Sequence, residues 1–210
     1  MVTIKVGKDL DEFNIHKNLL CDKSPYYKAM FNGQFIEGNK QVAEEKEVSL
    51  EAFALFHAWL YSGSVPEDLT PIIGGKCDND KVLVELYVFG DKTMLRNEFK
   101  QGFIRRMLDK HGVTSQTPSS SRKPFSADAL KVAVAGLAVD DAVLQLCIHL
   151  ACLSYLRIES DAILVSYTEV LDLDALKKFT HHLGGATMPY PSLRASKNLC
   201  NSIISSRYGP

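Results

Sequence analysis

Residues 12–63 read EFNIHKNLLCDKSPYYKAMFNGQFIEGNKQVAEEKEVSLEAFALFHAWLYSG, and the order of elements in this stretch decides the fold. Glu12–Ile15 alternates polar and apolar residues, with Phe13 and Ile15 inward, which is the period of a half-buried strand. His16-Lys17 follows, and Leu19-Leu20-Cys21 makes one short helical turn. Ser24-Pro25 then starts a helix: serine can cap, and proline suits the first helical position because its missing N–H would be unpaired anyway. Tyr27, Met30 and Phe31 share a face of that helix, and Asn32-Gly33 stops it. Beyond a polar interval, Glu47–Leu50 reads as a short strand. Ala52, Phe53, Phe56, Trp59 and Leu60 recur at helical spacing until Gly63.

Working outward, Val2, Ile4 and Val6 alternate with Thr3 and Lys5, and Gly7–Asp11 is turn chemistry, so the N-terminus reads as a hairpin. Thr70–Asp80 is a loop ending in Asp/Asn residues suited to capping. Val82, Leu83, Leu86, Tyr87 and Phe89 mark the next helix, and Leu95, Phe99, Phe103, Met107 and Leu108 another. Residues 112–125 are rich in Ser, Thr and Pro and read as a linker. Helices are expected at Ala127–Ala138, capped by Ser126; at Ala142–Leu156, capped by Asp140; and at Asp161–Leu171 and Leu173–Leu183. Residues 186–210 are expected to form a flexible tail. The organisation is thus a mixed domain at 1–111, the linker, and a helical extension at 126–185.

Charge and cysteine usage narrow the function. Among 210 residues the net charge is −1, and Lys+Arg against Asp+Glu runs 15 to 17 through His111 and 9 to 8 after it. Neither part carries the field of a phosphate-backbone binder, so direct nucleic-acid binding is not expected. The five cysteines have no CxxC spacing, and Cys147 and Cys152 sit in an apolar helical run, which fits a reducing compartment, cytoplasm or nucleus. No apolar run reaches the ~20 residues a membrane span needs, and none resembles a signal peptide.

His16-Lys17 after the second strand, Ser24-Pro25 before the next helix, and Trp59-Leu60-Tyr61-Ser62-Gly63 closing the third main helix occur together in order. This set resembles a BTB/POZ domain, in particular the form found in many fungal proteins. Leu86-Tyr87-Val88-Phe89-Gly90-Asp91-Lys92 resembles the penultimate helix of that family, with Gly90 in place of a small helix former, at a cost of up to ~1 kcal/mol. The resemblance implies an α+β BTB/POZ fold over the first half and a helical extension after it. It also implies a non-catalytic protein–protein interaction module without cofactor: a dimerising scaffold or regulator, or a substrate adaptor for a cullin-type ubiquitin ligase. Family members begin with a Ser-Asp pair before the first strand, whereas this chain starts at Met1 directly on the strand. The expectation is a homodimer or heterodimer weaker than that of relatives that exchange an N-terminal strand, the alternative being a gene model truncated at its start.

The resemblance also nominates residues. Leu19, Leu20 and Tyr26 lie on the helices that carry the family's dimer contact. Phe35-Ile36-Glu37 falls in the loop where cullin-binding relatives place a hydrophobic-x-Glu motif, with Phe35 as apolar anchor and Glu37 aligning the rim. The plainer alternative is that Phe35 packs on its own domain and Glu37 is solvated. His16, Ser24, Pro25 and Trp59 are read as structural, with His16 tying the strand end to the first helix. A catalytic reading of His16 would draw on Asp9, Asp11 or Ser24, but no GxSxG, HExxH or GxxxxGK[ST] is present. His181-His182 point about 100° apart on a helix and do not chelate one metal together.

Overall fold

A computed structural model describes residues 1–66, 78–95, 97–111, 124–138, 140–158, 161–171, 175–179 and 181. The chain divides into two compact units, Met1–Ser115 and Gln116–Pro210. Most of the linker and all of the tail, together with Cys77, Cys200 and His182, lie outside the described residues.

The first unit is built on a three-stranded sheet in the order β2-β1-β3. β1 (Val2–Val6) is the central strand, with Val2, Ile4 and Val6 buried on one face. It pairs antiparallel with β2 (Asp11–Ile15), Ile4 opposite Phe13, and parallel with β3 (Val42–Glu45), Ile4 opposite Ala43. The turn between the first two strands takes its left-handed backbone at Gly7 (φ 70°) and Leu10 (φ 57°). Between β2 and β3 come α1 (Lys17–Lys23), α2 (Pro25–Asn32) and α3 (Ile36–Lys40).

The third strand lies at 42–45, earlier than the sequence pattern places it. Residues 47–49 make no strand pairing; Ser49 instead caps α4 (Leu50–Ser62), its Oγ accepting the Ala52 N–H at 3.2 Å. Capping claims the residues that were to finish a strand. The true strand, Val-Ala-Glu-Glu, is too polar to announce itself by alternation.

α4 buries Ala52, Phe53, Leu55, Phe56, Trp59 and Leu60, and closes at Gly63, whose φ of 76° gives the left-handed C-cap. Asp78 caps α5 (Asn79–Lys92), accepting the backbone N–H groups of Asp80 and Lys81. α6 (Asn97–Lys110) follows. Rings from three helices form the core: Trp59 lies edge-on to Phe99 at 4.9 Å, and Phe56 to Phe89 at 5.2 Å. Gly90 explains itself here, because a Cβ on it would fall 2.3 Å from Phe99 Cε1. A residue that weakens α5 as an isolated helix is what lets α6 approach it.

A buried polar cluster joins the ends of α5 and α6. Asp80 Oδ1 accepts a hydrogen bond from Lys110 Nζ and lies 3.0 Å from His111 Nε2. Burial alone would raise the Asp80 carboxyl, but the bonds and positive charge of His111 and Lys110 outweigh it and hold the group below its ordinary value.

The second unit is helical among its described residues: α7 (Ala127–Gly136), α8 (Ala142–Ile158), α9 (Asp161–Val170), and a further helical stretch at 175–179. Ser126 caps α7 as its spacing predicts. α8 is capped by Asp141, whose Oδ1 accepts the Val143 N–H at 2.7 Å, and not by Asp140. The capping residue must immediately precede the first helical one for its side chain to reach the next N–H groups. Phe125 anchors the entry to this unit: its N–H donates to Ser154 Oγ at 2.9 Å and its carbonyl accepts from the Tyr167 hydroxyl at 2.5 Å. Cys21, Cys147 and Cys152 are buried. Among the described residues, no helix is long and apolar enough to cross a membrane.

Candidate interaction surface

The α1–α2 pair is fixed by polar bonds at both ends. Ser24 stands between the helices and is fully buried. Its N–H closes α1 on Leu20 O at 3.0 Å, and its Oγ opens α2 by accepting the Tyr27 N–H at 3.2 Å. The same hydroxyl donates to Thr93 O at 2.6 Å, which ties the junction to the end of α5. Pro25 occupies the first helical position. Lys17 Nζ donates to Phe31 O at 2.9 Å, placing positive charge on the carbonyl end of α2, where the helix dipole favours it.

His16 plays a structural part on α4 in addition to the one its position suggests. It precedes α1 without a side-chain cap. Its N–H donates to the Tyr61 hydroxyl at 3.2 Å, and its Nδ1 lies 2.8 Å from the same oxygen. It therefore ties the end of β2 to α4, while its carbonyl accepts the Leu20 N–H at 3.1 Å and joins the strand end to the first helix. Trp59, two residues before Tyr61, is buried.

These placements keep the nominated His16 and Ser24 apart. His16 and Ser24 stand at opposite ends of α1, about 12 Å apart along its axis at 1.5 Å per residue. Both Ser24 Oγ bonds are structural. Asp9 and Asp11 line an open depression of about 450 Å³ with Glu47, Ser49 and Glu85. Ser49 is itself engaged there, capping α4 and donating to Glu85 Oε2.

The apolar residues left outside make the surface. Phe35 is 58% exposed and Ile36 60%. Phe35 precedes α3 and Ile36 opens it, so this segment is a short helix where the sequence suggested only a loop. Glu37 is half-buried in its first turn. Leu19 and Tyr26 are half-buried on α1 and α2. Leu20 is fully covered by its own domain, so it belongs to the core and is not available to a partner as placed. Met94 adds a residue that sequence reading passes over: it is 55% exposed, with φ at 53°, just beyond the Thr93 to which Ser24 is bonded. No glycine or asparagine signals that left-handed position.

A sheet with a parallel β1–β3 pair, α1–α3 as its crossover and an aromatic helix closed by Gly63 is the arrangement that the sequence motifs imply. Residues 2–84 match the BTB/POZ domain family. Residues 2–84 are a BTB/POZ domain. The matched segment takes in the whole sheet, α1 to α4 and the start of α5. Against the curated proteins the chain has no significant match. A BTB/POZ domain is generally a protein–protein interaction and dimerisation module, and it is typically non-catalytic. Around this one, the buried Ser24 hydroxyl and the His16 ring are bonded within the fold, and Phe35 and Ile36 stand exposed.

Proposed function

We propose that this chain is a dimerising scaffold or regulatory protein that recruits other proteins through its BTB/POZ domain, with Leu19 and Tyr26 in the dimer contact. The observation that supports the reading is the contrast around Ser24. The α1–α2 junction is rigidly bonded, yet it leaves Leu19 and Tyr26 partly open on its outer side. A preorganised apolar face binds at lower entropic cost than a mobile one. The Trp59-Leu60-Tyr61-Ser62-Gly63 ending supports the fungal form of the domain, and buried Cys21, Cys147 and Cys152 fit a reducing compartment such as cytoplasm or nucleus.

Sedimentation of the full chain from about 1 to 100 μM tests the reading. Mass-action dimerisation is expected, with the dissociation constant raised at least about tenfold by Tyr26→Glu. A chain that stays monomeric throughout sinks it.

A second reading is favoured by a separate observation. Phe35 and Ile36 are large, apolar and well exposed beside Glu37, which is the disposition an apolar anchor for a cullin requires. Under this reading the protein is a substrate adaptor in a cullin-type ubiquitin ligase, and the helical unit after the linker carries the substrate.

A further inference from the structure

α5 and α6 run antiparallel, and their contacts follow one another like rungs from the turn to the open end. Asp91 meets Lys100, Gly90 meets Phe99, Tyr87 meets Phe103 with ring centroids 4.9 Å apart, and Asp80 meets Lys110 and His111. The two ionic rungs differ in burial. The Asp91 and Lys100 side chains are 45% and 31% exposed, so water can replace either partner. Asp80 and His111 are each only 6% exposed.

One oxygen carries the buried rung. Asp80 Oδ1 accepts from Lys110 Nζ and lies 3.0 Å from His111 Nε2, a separation at which an Nε2 proton bonds it. Both neighbours act as donors, so both contacts are strongest to an ionised carboxyl. A proton on Asp80 removes the charge on which they rely and deprives the Lys110 ammonium, in a side chain 25% exposed, of this counter-ion. His111 directly follows α6: its N–H closes the helix on Met107 O at 3.1 Å, and the chain continues from it to residue 112.

We propose that Asp80, Lys110 and His111 form a charge clasp that fixes the point where the chain leaves the BTB/POZ unit: it holds the end of α6 to the start of α5 while Asp80 is ionised, and releases that end when acid protonates the carboxyl. The proton comes from solvent. Electrostatics agrees with the geometry in sign. Burial would raise the carboxyl, but the His111 and Lys110 contacts bring it below its ordinary value. With the folded value below the unfolded one of about 3.9, the stabilisation is complete above the unfolded value and is lost as pH falls through the folded one. The clasp is therefore shut throughout the near-neutral range. The charged neighbours on α5 are Asp78, which accepts the Asp80 and Lys81 N–H groups, and Lys81, which lies 3.7 Å from Glu85. Arg105, Arg106 and Asp109 complete the charged groups of the last α6 turns, and the variants below keep all of these.

Thermal denaturation of the full chain from pH 7 to 3 tests the clasp, comparing wild type with Asp80→Asn and Lys110→Met. Trp59, the one tryptophan of the 210 residues, is buried in the same unit, so its fluorescence follows that unit. Asp80→Asn is expected to melt about 5 °C or more below wild type at pH 7, and the gap to shrink to under about 2 °C by pH 3. Lys110→Met is expected to flatten the acid fall of the melting temperature. In wild type at 25 °C, hydrogen exchange at residues 108–111, corrected for intrinsic rates, is expected to speed up at least about tenfold between pH 6 and pH 3.5 relative to residues 82–89. A gap that stays constant with pH, an acid fall in Lys110→Met as steep as in wild type, or an α6 end that keeps its protection at pH 3.5 would each overturn the proposal. Should Asp80→Asn not fold, the Lys110→Met curve and the wild-type exchange decide.

Discussion

The α4–α5–α6 core and the α2–α3 segment use the same kinds of residue to opposite ends. In the core, Phe53, Phe56, Trp59, Phe89 and Phe99 are all buried, and Gly90 thins α5 so that Phe99 can close on it. In the other segment Phe35 and Ile36 are no less apolar, yet both stand in solvent. Length separates them. α4 has 13 residues, enough to lay an apolar stripe against a neighbour, whereas α3 has five and cannot form one. Exposure at Phe35 is therefore a property the fold does not need, and that makes it a feature to explain by association.

Substitutions can break or sharpen this contrast. The largest effect belongs to Trp59→Ala, expected to lower stability by ~3–5 kcal/mol because the indole is almost fully enclosed. Urea denaturation measures it, and a loss under about 1 kcal/mol would place Trp59 outside the core. Gly90→Ala comes next and pits two forces against each other. Helix propensity gains up to ~1 kcal/mol, while pushing a methyl into the Phe99 ring costs ~1–3 kcal/mol, so a net loss of about 1 kcal/mol is expected. A stabilised variant would show that α5 and α6 are not in close contact.

The smallest effect on stability is expected at Phe35→Ala, within ~0.5 kcal/mol of wild type by the same denaturation. If the cullin reading holds, that substitution instead costs ~2 kcal/mol or more of binding, measured by calorimetry with a cullin N-terminal region, and Glu37→Ala costs less. A clear loss of stability at Phe35 would erase the distinction between the two regions and return Phe35 to the core.

Much of the fold was legible in the sequence because its signals are local. Ser24-Pro25, the helical stripe from Ala52 to Leu60 and the glycine at 63 each act within a few residues, and each stands where its chemistry predicts. The third strand was not legible, since its inward positions are Ala43 and Glu45, and the tyrosine that makes a buried glutamate tolerable lies 18 residues away. The partner of His16 lies 45 residues on, at Tyr61, and a sequence gives no means of choosing among distant hydroxyls. Gly90 looked like a defect because its reason, the Phe99 ring, belongs to the next helix. The surface residues were legible as types, but Leu20 and Leu19 differ only in which side of a short helix they take. Met94 had no signal.

The parallel pairing of β1 with β3 bears on how the chain comes together during synthesis. Ile4 meets Phe13 across a tight turn, but it meets Ala43 only after α1 to α3 have been made. The hairpin can form within microseconds of leaving the ribosome, whereas the central strand keeps one edge open until residue 45 emerges. At synthesis rates of about 5–20 residues per second, that edge waits on the order of seconds. The β3-facing edge of the first strand is thus open to chaperones, or to the wrong neighbour, for seconds before β3 covers it.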